Sequence, residues 1–452
     1  MKAGLAGVAG LTLPNLIRHR AHAATAGEGV SSHRSVILLW MTGGPSHIDM
    51  WDMKPDRPLM NRGPFSPIRT AIAGEVICEH LPKQAAMLDQ FTIIRSVDCR
   101  HSSHEPNQVM QTGHREAAPR VNPNGDRYPA MGSVVAKFRG ANHPQVPPYV
   151  AFQKSRSHIG YAGYLGQQYD PFMGNQAASL PIYDLVGKDT GKVSQSKMFQ
   201  LPGNLNYERI GQRLGLLREL DRMRRELDAS GNMEAMDIYH QQAVDMLTGG
   251  RVQKAFDLHR EPQAVRDQYG THLWCQQALL ARRLVEAGVS FVTIDLSYHT
   301  ASGTWDNHGD NIPPYGGISK GLQPLLPLLD HLITTLVADL QQRGLLDEVL
   351  VIAMGEFGRT PQMGTQGSTD GRNHWPHVMS MCLAGGGMRH GQIIGSTDKD
   401  GGQIKSRPVT PGDLAATVYH HMQVPLRETY LDDRGRPRFL VQENGQPISE
   451  LI

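Results

Sequence analysis

The sequence has little cysteine, little net charge and no long apolar run in its body, and each shortage excludes a class of protein. Only four of the 452 residues are cysteine, and because no two of them form a CxxC pair, neither a disulfide framework nor a thiolate zinc site is expected. Lys and Arg number 45 against 43 Asp and Glu, a formal charge of +2, so we expect no nucleic-acid partner held through its phosphates. Nothing after residue 30 approaches 18 consecutive apolar residues, which predicts no membrane span in the mature chain.

The N-terminus carries a short apolar segment of its own. Residues 3–17 are mostly small and apolar, basic residues follow them, and residues 21–23 give an A-x-A pattern that is typical of signal cleavage. Only Lys2 precedes the run, which indicates an export signal truncated at its basic start; a flexible apolar segment is the alternative. We therefore expect residues 1–30 to be an export-signal remnant and linker, and the protein to be exported, periplasmic or extracellular.

The body of the chain alternates between apolar strands and amphipathic helices. Continuous apolar runs predict strands at 35–41, 91–97, 149–152, 290–296, 349–354 and 378–383. Apolar residues at helical spacing predict helices over 210–227 and 322–340, and Thr410 or Pro411 opens another helix. The alternation predicts an α/β fold, a doubly wound and mainly parallel sheet flanked by helices. A Gly-, Tyr- and Gln-rich loop and a charged helical stretch interrupt this rhythm, so we predict one domain over 31–440 with a helical insertion at about 153–270, and a C-terminal tail over 441–452.

Histidine is abundant, with 21 residues, and several lie in loops that follow predicted strands. Because the loops after parallel strands face one crevice, residues far apart in the sequence can meet there. The first loop offers His47 and Asp49, a nitrogen and an oxygen ligand; a turn in which Ser46 or Asp49 caps the next element is the alternative. The second offers Ser102 or Ser103 as a nucleophile and His104 as a ligand or base; an ordinary serine N-cap is the alternative for the serines.

Two later loops carry the same chemistry. Asp306 and His308 form a D-x-H triplet, and carboxylate with neutral imidazole suits zinc or manganese. Glu356 ends an apolar strand, where an unpaired charge would be costly, and is predicted to bind metal. Arg359 or Arg372 would hold a pair of phosphate or sulfate oxygens, although Arg359 could instead pair with Glu356. The metal ligands predicted from the four loops are His47, Asp49, His104, Asp306, His308, Glu356 and His374.

Several segments together resemble a known family. They are ILLWMTGGPSHIDMWDMKP, SVDCRHSSHEP with MQTG, TWDNHGDN, GEFGRTP with GRNHWP, and LAGGGMRHGQIIGSTDKDG with PVTPGDL. Over about residues 10–440 the sequence resembles the bacterial exported family called domain of unknown function 1501 (DUF1501), which is related to the alkaline phosphatase and sulfatase superfamily. The resemblance implies an α/β core that binds metal at the strand ends, and a twin-arginine export signal whose two arginines are absent here.

The resemblance also carries site residues to particular positions. It implies metal ligands at Asp306, His308, Glu356 and His374, and it places Ser103 or His104 near the nucleophile position. Two features depart from the superfamily. The sulfatase signature C/S-x-P-S-R is missing, which argues against formylglycine chemistry. Thr42 and Gly43 stand where an aspartate is expected after the first strand, which leaves His47 or Asp49 to substitute.

The sequence thus predicts an exported, metal-dependent hydrolase of phosphate or sulfate esters, sulfatase-like but without the formylglycine signature. Ser103 would be the nucleophile, and Arg359 and Arg372 would neutralise charge on the ester. One or two divalent ions would be bound, zinc before manganese, calcium or magnesium, and the substrate would be a small-molecule or glycan ester. The alternative is a catalytically degenerate metal-binding protein that binds a glycan or a partner protein without turnover.

Overall fold

An eight-stranded sheet forms the centre of the structure, a computed structural model. We number its strands in chain order: β1 Ser35–Trp40, β2 Phe91–Val97, β3 Tyr149–Phe152, β4 Phe172–Met173, β5 Phe291–Asp295, β6 Val349–Met354, β7 Met379–Gly385 and β8 Gln392–Ile394. Their spatial order is β8-β2-β7-β6-β1-β5-β3-β4. Every neighbouring pair is parallel except the two pairs made by β7. The six predicted strands are confirmed, whereas β4 and β8 have only two and three residues, too few to give a periodic signal.

The structure describes residues 33–104, 108–196, 198–199, 250–311, 314–365, 367–442 and 444–452. The predicted export-signal remnant, the apolar stripe over 210–227 and much of the predicted insertion lie outside these residues. The described residues from Arg34 onward form one compact unit. Within the predicted insertion the chain joins the central sheet at β4, and within the predicted tail Ile448 and Leu451 are fully buried.

The strands divide the core into two layers because side chains alternate along each strand. On β1, Ile37 and Leu39 face one apolar cluster, and Leu38 and Trp40 face the other. Five helices are numbered α1 Gln108–Thr112, α2 Met131–Phe138, α3 Leu273–Ala287, α4 Gln323–Gln342 and α5 Pro411–His421. Apolar residues of α3 and α4 belong to the first cluster, and those of α2 and α5 to the second. Helices therefore cover both faces, and the predicted doubly wound, mainly parallel α/β fold is confirmed.

The two helices predicted within the described residues are confirmed. Thr410 caps α5 in a reciprocal hydrogen-bonded box with Asp413, and Pro411 is its first residue. A π-helical turn, Ile318–Leu322, leads into α4, and Gly344, with φ +67°, follows its end. The helical segment Ile318–Gln342 is long and apolar enough to cross a membrane by length and composition, but 61% of its apolar window is buried inside the protein.

Shorter elements complete the described part of the fold. The remaining α-helices are Leu59–Arg62, Pro82–Ala86, Gly174–Ala177, Arg251–Phe256 and Gln263–Tyr269. Antiparallel strand pairs are formed by Pro67–Arg69 with Val76–Cys78, Pro181–Tyr183 with Asp189–Val193, Gly358–Arg359 with His374–Trp375, Ser396–Thr397 with Ile404–Ser406, and Thr429–Leu431 with Pro437–Phe439. The pair that contains Arg359 and His374 matters most here, since it fixes the loop after β6.

Candidate metal centre

The loops after β1, β2, β5 and β6 meet at one edge of the sheet. Trp40, near the end of β1, is in register with Asp295 of β5 and Met354 of β6, so these three parallel strands end at the same level. Gly43 then lets two of the loops touch. Its φ is +125°, and a Cβ built on it would lie 2.2 Å from the backbone nitrogen of Asp306. Only glycine allows the loop after β5 to lie this close to the loop after β1.

His104, Asp306 and His374 lie together at this edge. The Nε2 atoms of His104 and His374 are 3.0 Å apart. His374 Nε2 is 3.3 Å from Asp306 Oδ1, and His104 Nε2 is 3.4 Å from Asp306 Oδ2. One potential ligand atom from each residue lies within 4.8 Å of the others. The loops after β2, β5 and β6 thus each contribute one donor to a common point.

The spacing and chemistry of these donors fit a zinc-like ion. In a tetrahedral site with bonds of about 2.0–2.1 Å, neighbouring ligand atoms are about 3.3–3.4 Å apart. The distance of 3.0 Å between the two Nε2 atoms lies near that edge length, and each Nε2 atom lies at a similar distance, 3.3 or 3.4 Å, from a different oxygen of Asp306. Two imidazoles and one carboxylate form a nitrogen-rich, borderline donor set, which suits zinc better than calcium or magnesium.

Glu356 lies behind His104 and fixes its ring. A Glu356 oxygen is 2.8 Å from His104 Nδ1, and the backbone N–H of Gly43 donates to both Glu356 oxygens at 3.0 and 3.1 Å. The carboxylate is almost completely buried. Such a carboxylate–histidine pair sets the tautomer and leaves Nε2 to bind a metal. The sequence predicted Glu356 as a ligand; the structure instead places it against the opposite nitrogen of a candidate ligand.

The two clustered histidines have pKa values displaced in opposite directions. Burial alone would lower the pKa of His104, but the carboxylates of Asp306 and Glu356 outweigh it and raise that pKa. Burial lowers the pKa of His374 to about 4. His104 is therefore the more basic of the two facing imidazoles. A metal ion bound to its Nε2 would compete with a proton there.

Asp306 is held by cationic and neutral donors. Arg359 Nη2 and His308 Nδ1 each lie 2.7 Å from Oδ1. Burial alone would raise the pKa of Asp306, but Arg359 and the neighbouring histidines outweigh it and keep that pKa well below its usual range. His308, predicted as a ligand, contacts Asp306 through Nδ1, and its ring centroid is 5.7 Å from that of His374. It borders the group of three and orients Asp306.

His47 and Asp49, also predicted as ligands, are each held by other buried contacts. Arg372 binds Asp49 with two N–H groups, at 2.7 and 3.2 Å, and both side chains are completely buried. Ser46 donates to Asp49 as well, at 2.5 Å. His47 Nε2 is 2.8 Å from the carbonyl oxygen of Gly401, and burial lowers its pKa. The structure does not bring His47 or Asp49 to the group of three.

The residues predicted to act on the ester lie in different surroundings. Arg359 is completely buried and donates to Asp306 and to the carbonyl oxygens of Gly44, at 2.7 Å, and Arg372, at 3.1 Å. Arg372 is buried against Asp49, so both guanidinium groups face protein oxygens rather than an open crevice. Ser103 is half-buried and directly precedes His104.

Almost the whole chain matches the model of one protein family. The model of a family described as proteins of unknown function, DUF1501, matches residues 33–452. The chain belongs to the DUF1501 family. This confirms the resemblance that the sequence motifs indicate. No curated protein matches the DUF1501 chain.

The DUF1501 chain is also similar to several solved structures. The PsFucS1 sulfatase from Pseudoalteromonas sp. is 12% identical, with 90% of this chain and 70% of that chain covered and a TM-score of 0.36. Ps i-CgsB is 10% identical, with 87% and 72% covered and a TM-score of 0.41. The phosphonate monoester hydrolase SpPMH from Silicibacter pomeroyi is 10% identical, with 91% and 74% covered and a TM-score of 0.34. Likeness at these TM-scores carries neither activity nor substrate to the DUF1501 chain.

Sequence reasoning missed a buried ion pair beside the cluster in this DUF1501 protein. His158 Nδ1 lies 2.9 Å from Asp295 Oδ2, and its Nε2 lies 2.7 Å from the carbonyl oxygen of Ala301. Thr42 donates to Asp295 Oδ1 at 2.5 Å. Burial alone would lower the pKa of His158, but Asp295 outweighs it and raises that pKa to about 9. The sequence signal for this pair was the carboxylate of Asp295, which ends the apolar run FVTID. Nothing near His158 in the sequence indicates that the two residues are partners.

Proposed function

We propose that this DUF1501 protein is a metal-dependent hydrolase of phosphate or sulfate esters. The observation that carries the proposal is the group of His104, Asp306 and His374, with ligand atoms within 4.8 Å of one another at the ends of parallel strands. Open α/β sheets bind their ligands at this edge. The three ligand atoms can hold one ion, and the two imidazoles favour zinc over manganese, calcium or magnesium.

The side chains around the group prepare it for an anionic ester. A bound zinc ion would polarise an ester oxygen and lower the pKa of an attacking hydroxyl or water. Glu356 keeps His104 Nε2 aimed at the group by holding the opposite ring nitrogen. Arg359 offsets the charge of Asp306, so that the positive charge of an ion remains available to a phosphate or sulfate.

The nucleophile is proposed to come from the loop after β2. Ser103 directly precedes His104, and its half-buried side chain leaves part of its surface open to a substrate. A serine and a water molecule are the two candidates, because a metal ion can lower the pKa of either. Replacing Ser103 by alanine separates the two: a serine mechanism predicts loss of turnover with the metal retained.

A groove beside this loop supports a substrate larger than a simple ester. A cavity of about 1000 Å³ is lined in part by His101. This residue lies three positions before His104 and so within about 11 Å of it along the chain. Its other lining residues include Arg427, Arg438 and Phe439, and Phe439 is 65% exposed. Arg438 is paired with Asp432 at 3.3 Å and with Glu116, which also lines the cavity, at 3.5 Å. Recognition of an anionic glycan there would therefore rest on Arg427, which can pair with sulfate or phosphate, and on the ring of Phe439, which can pack against a sugar.

Export is proposed from the N-terminal pattern of the sequence, and the thiols are compatible with it. All four cysteines are free and buried. Burial raises the pKa of Cys78, Cys99 and Cys275 to about 12, and that of Cys382 still further. Because the thiolate is the reactive form, these groups would resist oxidation outside the cytoplasm.

A second candidate function is metal-dependent binding of a glycan or partner protein without turnover. The observation that favours it is the burial of Arg359 and Arg372, which leaves neither guanidinium for the transition state. Thr42 and Gly43 also follow β1 in place of a carboxylate ligand.

The experiment that separates the two functions uses the full chain loaded with zinc and a panel of phosphate and sulfate esters. The enzyme proposal predicts hydrolysis that falls at least about 100-fold in His104→Ala and His374→Ala. His377→Ala is the matched control, because this exposed histidine lies three residues from His374, and its activity should stay within about twofold of wild type. No hydrolysis by a zinc-loaded wild-type protein, together with zinc-dependent glycan binding, would establish the second function instead.

A further inference from the structure

We propose that Ser302 and Tyr315 are positioning residues that make Asp306 a ligand through one oxygen, Oδ2. The inference rests on the proposed function only in needing an ion at the group of His104, Asp306 and His374. It concerns how the protein prepares the carboxylate, and it can be tested without any hydrolysis.

Hydrogen bonds divide the two oxygens of Asp306 between different tasks. Each carboxylate oxygen has two lone-pair sites. Three groups face Oδ1: Arg359 Nη2 and His308 Nδ1, both at 2.7 Å, donate to its two lone-pair sites, and His374 Nε2 lies 3.3 Å away. Oδ2 accepts from Ser302 Oγ at 2.5 Å, which leaves it one site. Oδ2 is also the oxygen that lies 3.4 Å from His104 Nε2. The remaining lone pair of Asp306 therefore belongs to Oδ2.

The direction of the hydrogen bonds follows from the number of protons. Ser302 Oγ lies 2.5 Å from Asp306 Oδ2 and 2.8 Å from the hydroxyl oxygen of Tyr315. A serine hydroxyl has one hydrogen, and an ionised carboxylate can only accept. Ser302 therefore donates to Asp306, and Tyr315 donates to Ser302. The two hydroxyls form a chain that polarises toward the carboxylate.

Tyr315 is itself held by two histidine rings. Its ring centroid lies 4.8 Å from that of His308 and 5.5 Å from that of His299, the latter in an edge arrangement. His308 also donates to Asp306 Oδ1, so Tyr315 contacts one donor of the carboxylate and supports the other. Each oxygen of Asp306 thus accepts from a donor that is itself held in place, and these hydrogen bonds oppose a rotation of the carboxylate that would offer both oxygens to an ion.

Zinc affinity of the metal-stripped full chain, measured by competition with a chromophoric chelator, tests this assignment. Ser302→Ala should weaken zinc binding about 10- to 100-fold, as expected when a ligand loses its hydrogen-bond support. Ser302→Thr, which keeps the hydroxyl, should restore affinity to within about threefold of wild type. Tyr315→Phe should weaken binding less than Ser302→Ala, because the serine can still donate to Oδ2. The absorption spectrum of bound Co²⁺ should change in Ser302→Ala and return in Ser302→Thr.

Thr304→Val is the matched control for general loosening of the loop. Thr304 lies two residues from Ser302. Its hydroxyl oxygen accepts from the backbone N–H of Tyr298 at 2.8 Å and lies 3.2 Å from Ser297 Oγ, so it bonds to these residues rather than to Asp306. Zinc binding by Ser302→Ala at wild-type affinity, or an equal loss in Thr304→Val, would overturn the inference while leaving the proposed function intact. A wild-type chain that binds no zinc would overturn the proposed function, and this inference with it.

Discussion

The Nε2 atoms of His104 and His374 lie 3.0 Å apart although 270 residues separate the two histidines in the sequence. Each follows a different strand of one sheet, β2 and β6, and the oxygens of Asp306 after β5 complete the group. Two imidazole nitrogens and a carboxylate are the donor types that bind zinc in proteins. A divalent metal ion is the chemical group that fits these donors.

Glu356 should control metal affinity without being a ligand. Glu356→Gln removes the charge that stabilises the Nδ1 proton of His104, and we expect zinc affinity to fall about 10- to 100-fold. Glu356→Ala, which also removes the hydrogen bond, should lose more. Glu79→Gln, on an exposed carboxylate, is the control and should bind zinc as wild type does. If Glu356→Gln kept full affinity, its contact with His104 would have no part in metal binding.

Arg372 should matter for stability rather than for the reaction. Arg372→Met leaves Asp49 charged, buried and unpaired, which should cost about 3–5 kcal/mol of unfolding free energy. Adding Asp49→Asn should recover part of that loss. Urea denaturation measures both changes. A fully stable Arg372→Met variant that had lost ester hydrolysis would show instead that this guanidinium acts on the substrate, as the sequence predicted.

The His158–Asp295 pair should make stability depend on pH. The pKa of a histidine in the unfolded chain is about 6.5, and the pKa of folded His158 is raised to about 9. The stabilisation is therefore fully present below pH 6.5 and is lost as the pH rises through 9. Its size is on the order of 3 kcal/mol. Urea denaturation at pH 6, 7.5 and 9 should show the decline in wild type and in exposed His377→Gln, but not in His158→Gln. An equal decline in His158→Gln would assign it to other groups.

Gly43 should be needed to bring two site loops together. In Gly43→Ala the new Cβ would collide with the backbone of Asp306, so we expect both stability and zinc affinity to fall. Gly74 also has a positive φ, +85°, but open space around its Cβ position, so Gly74→Ala isolates the backbone strain. We expect Gly43→Ala to be less stable than Gly74→Ala by about 2 kcal/mol. Equal stability of the two variants would mean that the loops tolerate a side chain between them.

Much of the fold could be predicted because the strands of a doubly wound sheet are buried on both faces. Continuous apolar runs therefore marked β1, β2, β3, β5, β6 and β7, and the capping residue Thr410 marked the start of α5. The antiparallel direction of β7 could not be predicted, because an apolar run carries no information on strand direction. The edge strands β4 and β8 are too short to leave a pattern.

The candidate site was predicted as a set of loops but not as a set of contacts. Placing polar loops at the ends of parallel strands was enough to bring His104, Asp306 and His374 together. The sequence could not show which charges neutralise one another: Arg372 lies 323 residues from Asp49, and its pairing removes Asp49 from the candidate ligands. Nor could the sequence distinguish a metal ligand from a residue that holds a ligand in place. Glu356 contacts Nδ1 of His104, whereas a metal ion would bind Nε2 of the same ring.

Titration of the metal-stripped full chain with Zn²⁺, compared with His374→Ala and the exposed control His377→Ala, tests the central claim most directly. The account predicts one ion for each chain with a dissociation constant below about 1 µM in wild type and His377→Ala. For His374→Ala it predicts a dissociation constant at least about 100-fold larger, a loss of roughly 3 kcal/mol in binding free energy. Absence of binding by wild type, or unchanged binding by His374→Ala, would contradict it.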